Sequence, residues 1–160
     1  VLSGLTQNGI TVPQPTGNFL GLATAVVSPA ACGSVKLASS DPFAAPIIDP
    51  GLLNSEFDRV VMREAVKLAV HFTTARAWSD YVIGPVGDLA AALNATNVDD
   101  ALDSYIVANA QVIWHPTGTS RMSRRGASRG VVDPDLTLKK VKGLRIVDAS
   151  IFVSFPPPPF

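Results

Sequence analysis

The sequence predicts an α+β fold, and three observations carry that prediction. From Phe57 to Phe72 apolar residues recur at three- and four-residue spacing, as on one face of a long helix. Val35 and Leu37 alternate with Ser34, Lys36 and Ala38, which is the period of a strand. Leu144-Arg-Ile-Val-Asp148 is an apolar run of the kind that forms a buried strand, and Gly143 precedes it.

Length and composition bound the rest. The 160 residues are 47% hydrophobic and 16% charged, enough apolar material for a core and too little charge for a disordered chain. At this length one domain is the default. No apolar run reaches the length of a membrane-spanning helix, because Pro, Ser, Asp or Gly interrupts each one. Cys32 has no partner for a disulfide, and Cys32, His71 and His115 match no zinc spacing, so no metal site is expected. The zero net charge hides an asymmetry. Residues 1–110 hold five basic and ten acidic groups, whereas residues 111–160 hold eight basic groups against Asp133, Asp135 and Asp148. The basic segment reads either as solvated loop charge or as a pole that meets an anion. The chain starts at Val1 without a visible signal peptide and stops in Pro156-Pro-Pro-Pro-Phe160, which suggests a piece of something longer.

Taken in order, residues 1–22 are rich in Gly, Thr, Asn, Gln and Pro and read as irregular connection. Ala23–Ser28 and Gly33–Ser39 are short apolar runs, the second with the alternation of a half-buried strand. Ser40-Asp-Pro42 and Asp49-Pro-Gly51 are turns flanking Pro46-Ile-Ile48. Asn54 or Ser55 caps the long helix, with Ser55 and Asp58 as a capping-box-like pair. Its stripe is Phe57, Val60, Val61, Ala65, Leu68, Ala69 and Phe72, and it should end near Thr73. His71 then lies beside the C-terminal end, where an imidazolium meets the helix dipole favourably. Gly84-Pro85 marks a turn, Leu89–Leu93 a short helix, and Asn97 caps a helix from Val98 to about Asn109 with Leu102, Tyr105, Ile106 and Asn109 inward. Asn94-Ala-Thr96 is a sequon for N-glycosylation at Asn94. Val112-Ile-Trp114 is strand-like, a loop with Arg121, Arg124, Arg125 and Arg129 follows, and Val131-Val-Asp-Pro-Asp135 turns a short strand.

Of the side chains that could do chemistry, His115 stands out. It ends an apolar run, and Pro116 and Gly118 force a tight turn after it. An imidazole projected from such a turn can exchange a proton with an alcohol near neutral pH; equally, it can hydrogen-bond locally within the turn. Trp114 beside it suits either a core or a substrate platform. Asp148-Ala-Ser150 follows a strand end, where ligands bind in open α/β sheets. The sequence has no Gly-x-Ser-x-Gly elbow, no Gly-x-Gly-x-x-Gly fingerprint and no P-loop.

Five segments carry a family likeness: Gly33-Ser-Val-Lys-Leu-Ala-Ser-Ser-Asp-Pro-Phe43, Pro46-Ile-Ile-Asp-Pro50, Trp114-His-Pro-Thr-Gly-Thr-Ser-Arg-Met122, Gly126-Ala-Ser-Arg-Gly-Val-Val-Asp-Pro-Asp-Leu136 and Gly143-Leu-Arg-Ile-Val-Asp-Ala-Ser150. In this order they resemble the C-terminal part of glucose–methanol–choline (GMC) oxidoreductases, nearest the fungal aryl-alcohol oxidase-like branch, over about residues 25–153. The resemblance implies a piece of a substrate-binding domain, an antiparallel sheet with helices, over 1–112. Residues 113–160 would then be the active-site loop and the C-terminal strand returning to an FAD-binding Rossmann-like domain.

The implied reaction passes hydride from an alcohol CH–OH to the flavin of FAD. His115 inherits the general-base role, Trp114 a wall of the substrate pocket, and Asp148 and Ala149 the contact with FAD. Substrates would be small alcohols, with neither nucleic acid nor membrane as partner, and the fungal branch implies secretion. Three departures stand out. The family's N-terminal dinucleotide fingerprint is absent. Ala31-Cys32 replaces a common Ser-Arg. Ser154–Phe160 has neither the His nor the Asn that usually supplies the second active-site residue. These departures predict a chain that is inactive by itself. The competing reading is a non-catalytic module that binds an anion or partner through the Arg121–Arg145 region and the Pro-rich tail.

Overall fold

The computed structural model describes residues 6–7, 10–11 and 17–153. The Pro-rich tail and the empty second-residue position after Phe152 fall within 154–160, outside the described residues. Among the described residues the fold is α+β, with three α-helices and two small antiparallel pairs of strands. Within the stretch expected to be irregular, β1 (Thr6–Gln7) pairs with β2 (Ile10–Thr11). β3 (Ser34–Lys36) pairs with β4 (Ile47–Asp49) in the register Ser34↔Asp49, Val35↔Ile48 and Lys36↔Ile47. The helices are α1 (Glu56–Thr73), α2 (Gly87–Leu93) and α3 (Val98–Asn109). No helix among the described residues is long and apolar enough to cross a membrane.

The chain divides into two compact units, one of Val1–Ala25 with Val61–Tyr105, the other of Val26–Val60 with Ile106–Phe160. In the first, Ala92 and Leu102 are buried. Arg63 reaches from α1 to Asp103 of α3 at 2.7 Å, and Lys67 bonds Asp99 at 2.8 Å. Lys67 pulls the Asp99 carboxyl below its ordinary range by that hydrogen bond, and Asp99 in turn raises the Lys67 ammonium. Leu22–Ala25 runs along Ala65, Leu68, Ala69 and Phe72, leaving an apolar groove of about 400 Å³. Phe72 meets Trp78 edge to face, with ring centres 5.4 Å apart.

In the second unit Ile106, Val132 and Asp58 are buried. Asp58 does not form the expected capping box. Its two carboxylate oxygens accept the N–H groups of Ala30 at 2.7 Å and Ala31 at 2.9 Å, so it closes the 29–33 loop onto the first turn of α1. Two bonds accepted by a fully buried carboxylate outweigh the single bond that it would accept in a capping box.

Two strands expected from sequence are not strands. Val112–Trp114 and Leu144–Asp148 have no ladder partner along their length, and Arg145 makes one isolated bridge, to Thr137. Val35, Leu144 and Val147 are exposed, so neither the half-buried nor the buried type applies. Alternation and apolar content report that a face is meant to be covered, but a ladder needs a neighbour.

Candidate functional site

The sequence-predicted site residues Trp114, His115, Asp148 and Ala149 all belong to the second unit. Trp114 is 86% exposed, and its backbone lies in the left-handed region at φ 61°, a conformation that a bulky L-residue seldom adopts. The chain direction therefore changes at Trp114, one residue before His115. The His115 imidazole is exposed, and among the described residues it takes no hydrogen-bond partner.

Beyond Pro116 the chain turns at Gly118, which has φ 77° and whose absent Cβ would sit 3.3 Å from the Phe152 carbonyl. From there alternate amides clasp the other predicted motif. Gly118 N–H donates to Ala149 O at 3.3 Å, Ser120 N–H to Ser150 O at 2.8 Å, and Met122 N–H to Ile151 O at 2.8 Å. The Arg121 guanidinium closes the turn by donating to Gly118 O at 3.1 Å.

The opposite side of the clasp is a three-ten turn, Ala149–Ile151, entered from Asp148 in extended conformation. Asp148 Oδ1 accepts the Ser150 N–H at 2.8 Å and so caps the turn. The Ser150 side chain, and after it the Ser150 N–H, lowers the Asp148 carboxyl below its ordinary value, and the group is a carboxylate at neutral pH. Two stretches about thirty residues apart in sequence thus become one backbone corner, with Ala149 bonded directly to the loop that carries His115.

Two contributors are not legible as such in the sequence. Arg121 closes the turn that Pro116 and Gly118 predict after His115. Ser150 fixes Asp148, a link legible in principle because an Asp two residues before an amide donor is the signature of an Asx-turn. Part of the basic segment is consumed locally, the Arg121, Arg125 and Lys139 side chains each having a partner. Arg125 pairs with Asp135 at 2.9 Å, and Lys139 with Asp133 at 2.5 Å. The Thr137 hydroxyl and then Arg125 pull the Asp135 carboxyl down to about 2. In the first unit Asn94 is exposed at the C-terminal end of α2, with Nδ2 donating to Ala90 O at 2.9 Å. No group of three or more potential metal-ligating side chains is gathered among the described residues.

Known proteins resemble this chain over most of its length. The protein named dehydrogenase eriK of Hericium erinaceus is 42% identical over 143 residues, covering 88% of this chain and 24% of that protein. Pyranose dehydrogenase 3 of Leucoagaricus meleagris is 37% identical over 146 residues, covering 90% and 24%. Among solved structures, that of pyridoxine 4-oxidase from Mesorbium loti superposes with a TM-score of 0.67 at 27% identity, over 78% of this chain and 23% of that one. The chain therefore spans about a quarter of the length of the relatives it matches. Residues 29–158 match the family model described as GMC oxidoreductase, and with the clasped corner lying wholly inside that match the chain belongs to the GMC oxidoreductase family.

Proposed function

We propose that this chain is the C-terminal quarter of an FAD-dependent alcohol oxidoreductase in which His115 is the general base. The observation that carries the reading is the clasp of Gly118, Ser120 and Met122 onto Ala149–Ile151, which joins the histidine loop to the Asp148 turn. Residues 1–112 would contribute to substrate binding, and 113–160 would lead the active-site loop back to the flavin portion.

The residues at the corner suit such a cofactor. Gly118 brings no side chain to the clasp, and Asp148 is a fixed carboxylate able to accept from a hydroxyl-rich ligand. Asp148 and Ala149 would hold the group, and FAD, when bound, supplies the hydride acceptor. Trp114 offers its exposed face as a wall for the substrate. His115 takes the alcohol O–H proton on an imidazole nitrogen as the carbon gives up its hydride, so that one C–H and one O–H bond are exchanged for the carbonyl. The substrate class is a small alcohol or a sugar hydroxyl, the second suggested by the pyranose dehydrogenases among the relatives. Secretion with a glycan on Asn94 belongs to the same reading, and the exposure of Asn94 supports it.

The test is His115→Ala in the full-length flavoprotein, with flavin reduction by an alcohol followed at the flavin absorbance. The rate is expected to fall by about 10²-fold or more, the usual worth of a general base. An unchanged rate removes His115 from the mechanism.

A further inference from the structure

Behind the clasp lies a second set of contacts that the chemistry above does not use. Residues 121–146 are held by single bridges. Val131 N–H donates to Arg121 O at 2.8 Å and Ser123 N–H to Val132 O at 3.0 Å. Lys139 N–H donates to Val131 O at 3.0 Å, Leu138 N–H to Leu144 O at 2.9 Å, and Ile146 N–H to Leu136 O at 3.1 Å. Residues 144–146 therefore bond one end of this network. Only Val147 and Asp148 separate them from Ala149–Ile151, which accept from the other end. The network closes on itself through the clasp.

Isolated bridges specify register weakly, because a one-residue slip forfeits few bonds. Two features oppose a slip. One is Val132, fully buried at the centre. The other is the Lys139 ammonium, which donates to Asp133 Oδ1 at 2.5 Å and to the Arg124 carbonyl at 3.2 Å, tying together the three segments that bear Arg124, Asp133 and Lys139. The Lys139 and Asp133 side chains are only 14% and 15% exposed. Arg125 is no substitute partner for Asp133, being 3.9 Å away and mostly in solvent. A largely desolvated ion pair adds little stability over a well-packed apolar pair, and its best-attested use is to hold one register against others.

We infer that Lys139 is a positioning residue. By tying the Arg124 carbonyl to Asp133 it fixes the register of the bridge network, and through the Gly118–Met122 clasp it fixes the approach of the His115 loop to the Asp148 turn. A slip of one residue displaces a backbone by about 3.3 Å, and misplacement of about 1 Å already costs up to about 10²-fold in rate. The inference rests on the general-base reading of His115, so the two are measured side by side.

The experiment uses Lys139→Met in the full-length flavoprotein, with bound flavin, KM and the rate of flavin reduction read separately. Flavin content and KM are expected within about twofold of the parent, and the reduction rate about tenfold lower. Lys139→Arg is expected to recover most of that rate, because a guanidinium keeps the positive charge and several donors on a side chain of similar length. Should Lys139→Met fail to fold, the pair Lys139→Met with Asp133→Leu removes the tie without leaving a buried charge, and the same slow reduction is expected. A parent-like reduction rate in Lys139→Met or in the double variant overturns the inference, as does a loss of rate that merely follows a loss of bound flavin. If His115→Ala is slow and Lys139→Met is not, the general base stands and the positioning role falls. If His115→Ala is itself unchanged, the general-base reading fails first.

Discussion

Trp114 marks where single residues depart from what their type predicts. The apolar pattern of Val112-Ile-Trp114 predicts a strand, but a residue at φ 61° cannot continue one, and nothing in the letters Trp-His-Pro announces a left-handed kink. What was legible were the chemical identities, an imidazole followed by Pro116 and Gly118 and an Asp two residues before Ser150. Their partners were not, because the bonds from 118–122 to 149–151 are contacts between residues about thirty apart. Glycine at 130 shows the same limit. It has φ 84°, and a Cβ there would lie 2.5 Å from Ser123 Oγ, which donates at 2.6 Å to Arg129 O. Gly130→Ala is expected to cost about 2 kcal/mol or more, from the left-handed backbone alone about 1–2 and the rest from displacing the serine. A urea unfolding midpoint indistinguishable from the parent contradicts this. Ser123→Ala in the Gly130→Ala background should recover part of the loss.

Elements differ in legibility according to where their stabilising partners lie. α1, α2 and α3 fall close to their expected spans, since helix periodicity and a cap such as Asn97 are local signals, and Asn97 Oδ1 does accept the Asp100 N–H, at 3.4 Å. Strands need neighbours that the sequence pattern does not identify, so Leu144–Asp148 reads as buried yet holds one bridge. Asp58 lies between these cases. Its place in the first turn of α1 is legible, whereas its use as the acceptor for the 29–33 loop is not. With Asp58 only 2% exposed, Asp58→Ala leaves two amides without their acceptor and is expected to cost about 2–3 kcal/mol. Asp58→Asn keeps one oxygen acceptor and should cost less. Hydrogen exchange checks the mechanism directly. The Ala30 and Ala31 amides should lose protection in Asp58→Ala, while amides in the middle of α3 keep theirs. Equal loss at both places would mean that Asp58 supports the fold well beyond the loop.

For the whole molecule the decisive fact is how few apolar side chains are covered. Among the described residues Ala92, Leu102, Ile106 and Val132 are buried, while Phe43 is 94% and Leu37 86% exposed. The apolar residues of α1 recur along one side of the helix, yet Phe57, Val60, Leu68 and Phe72 among them remain open to solvent. Contiguous apolar faces of this kind mark surfaces meant for a partner. The relatives are about four times as long as this chain, and in the proposed full-length flavoprotein the remaining sequence is expected to cover these faces. The 160-residue chain by itself should then enhance the fluorescence of the apolar dye ANS strongly, carry no FAD and oxidise no alcohol, because its helices hold their hydrogen bonds while their apolar faces stay wet. The full-length flavoprotein should enhance the dye several-fold less per mole. Hydrogen exchange on the isolated chain adds a spatial check. Amides in the middle of α1 and α3 should be the most protected, and those of the β3–β4 pair, exposed on both faces, the least. A chain that leaves the dye dark, or that binds FAD tightly one to one, would show that these faces need no further cover and that the chain forms a self-sufficient domain.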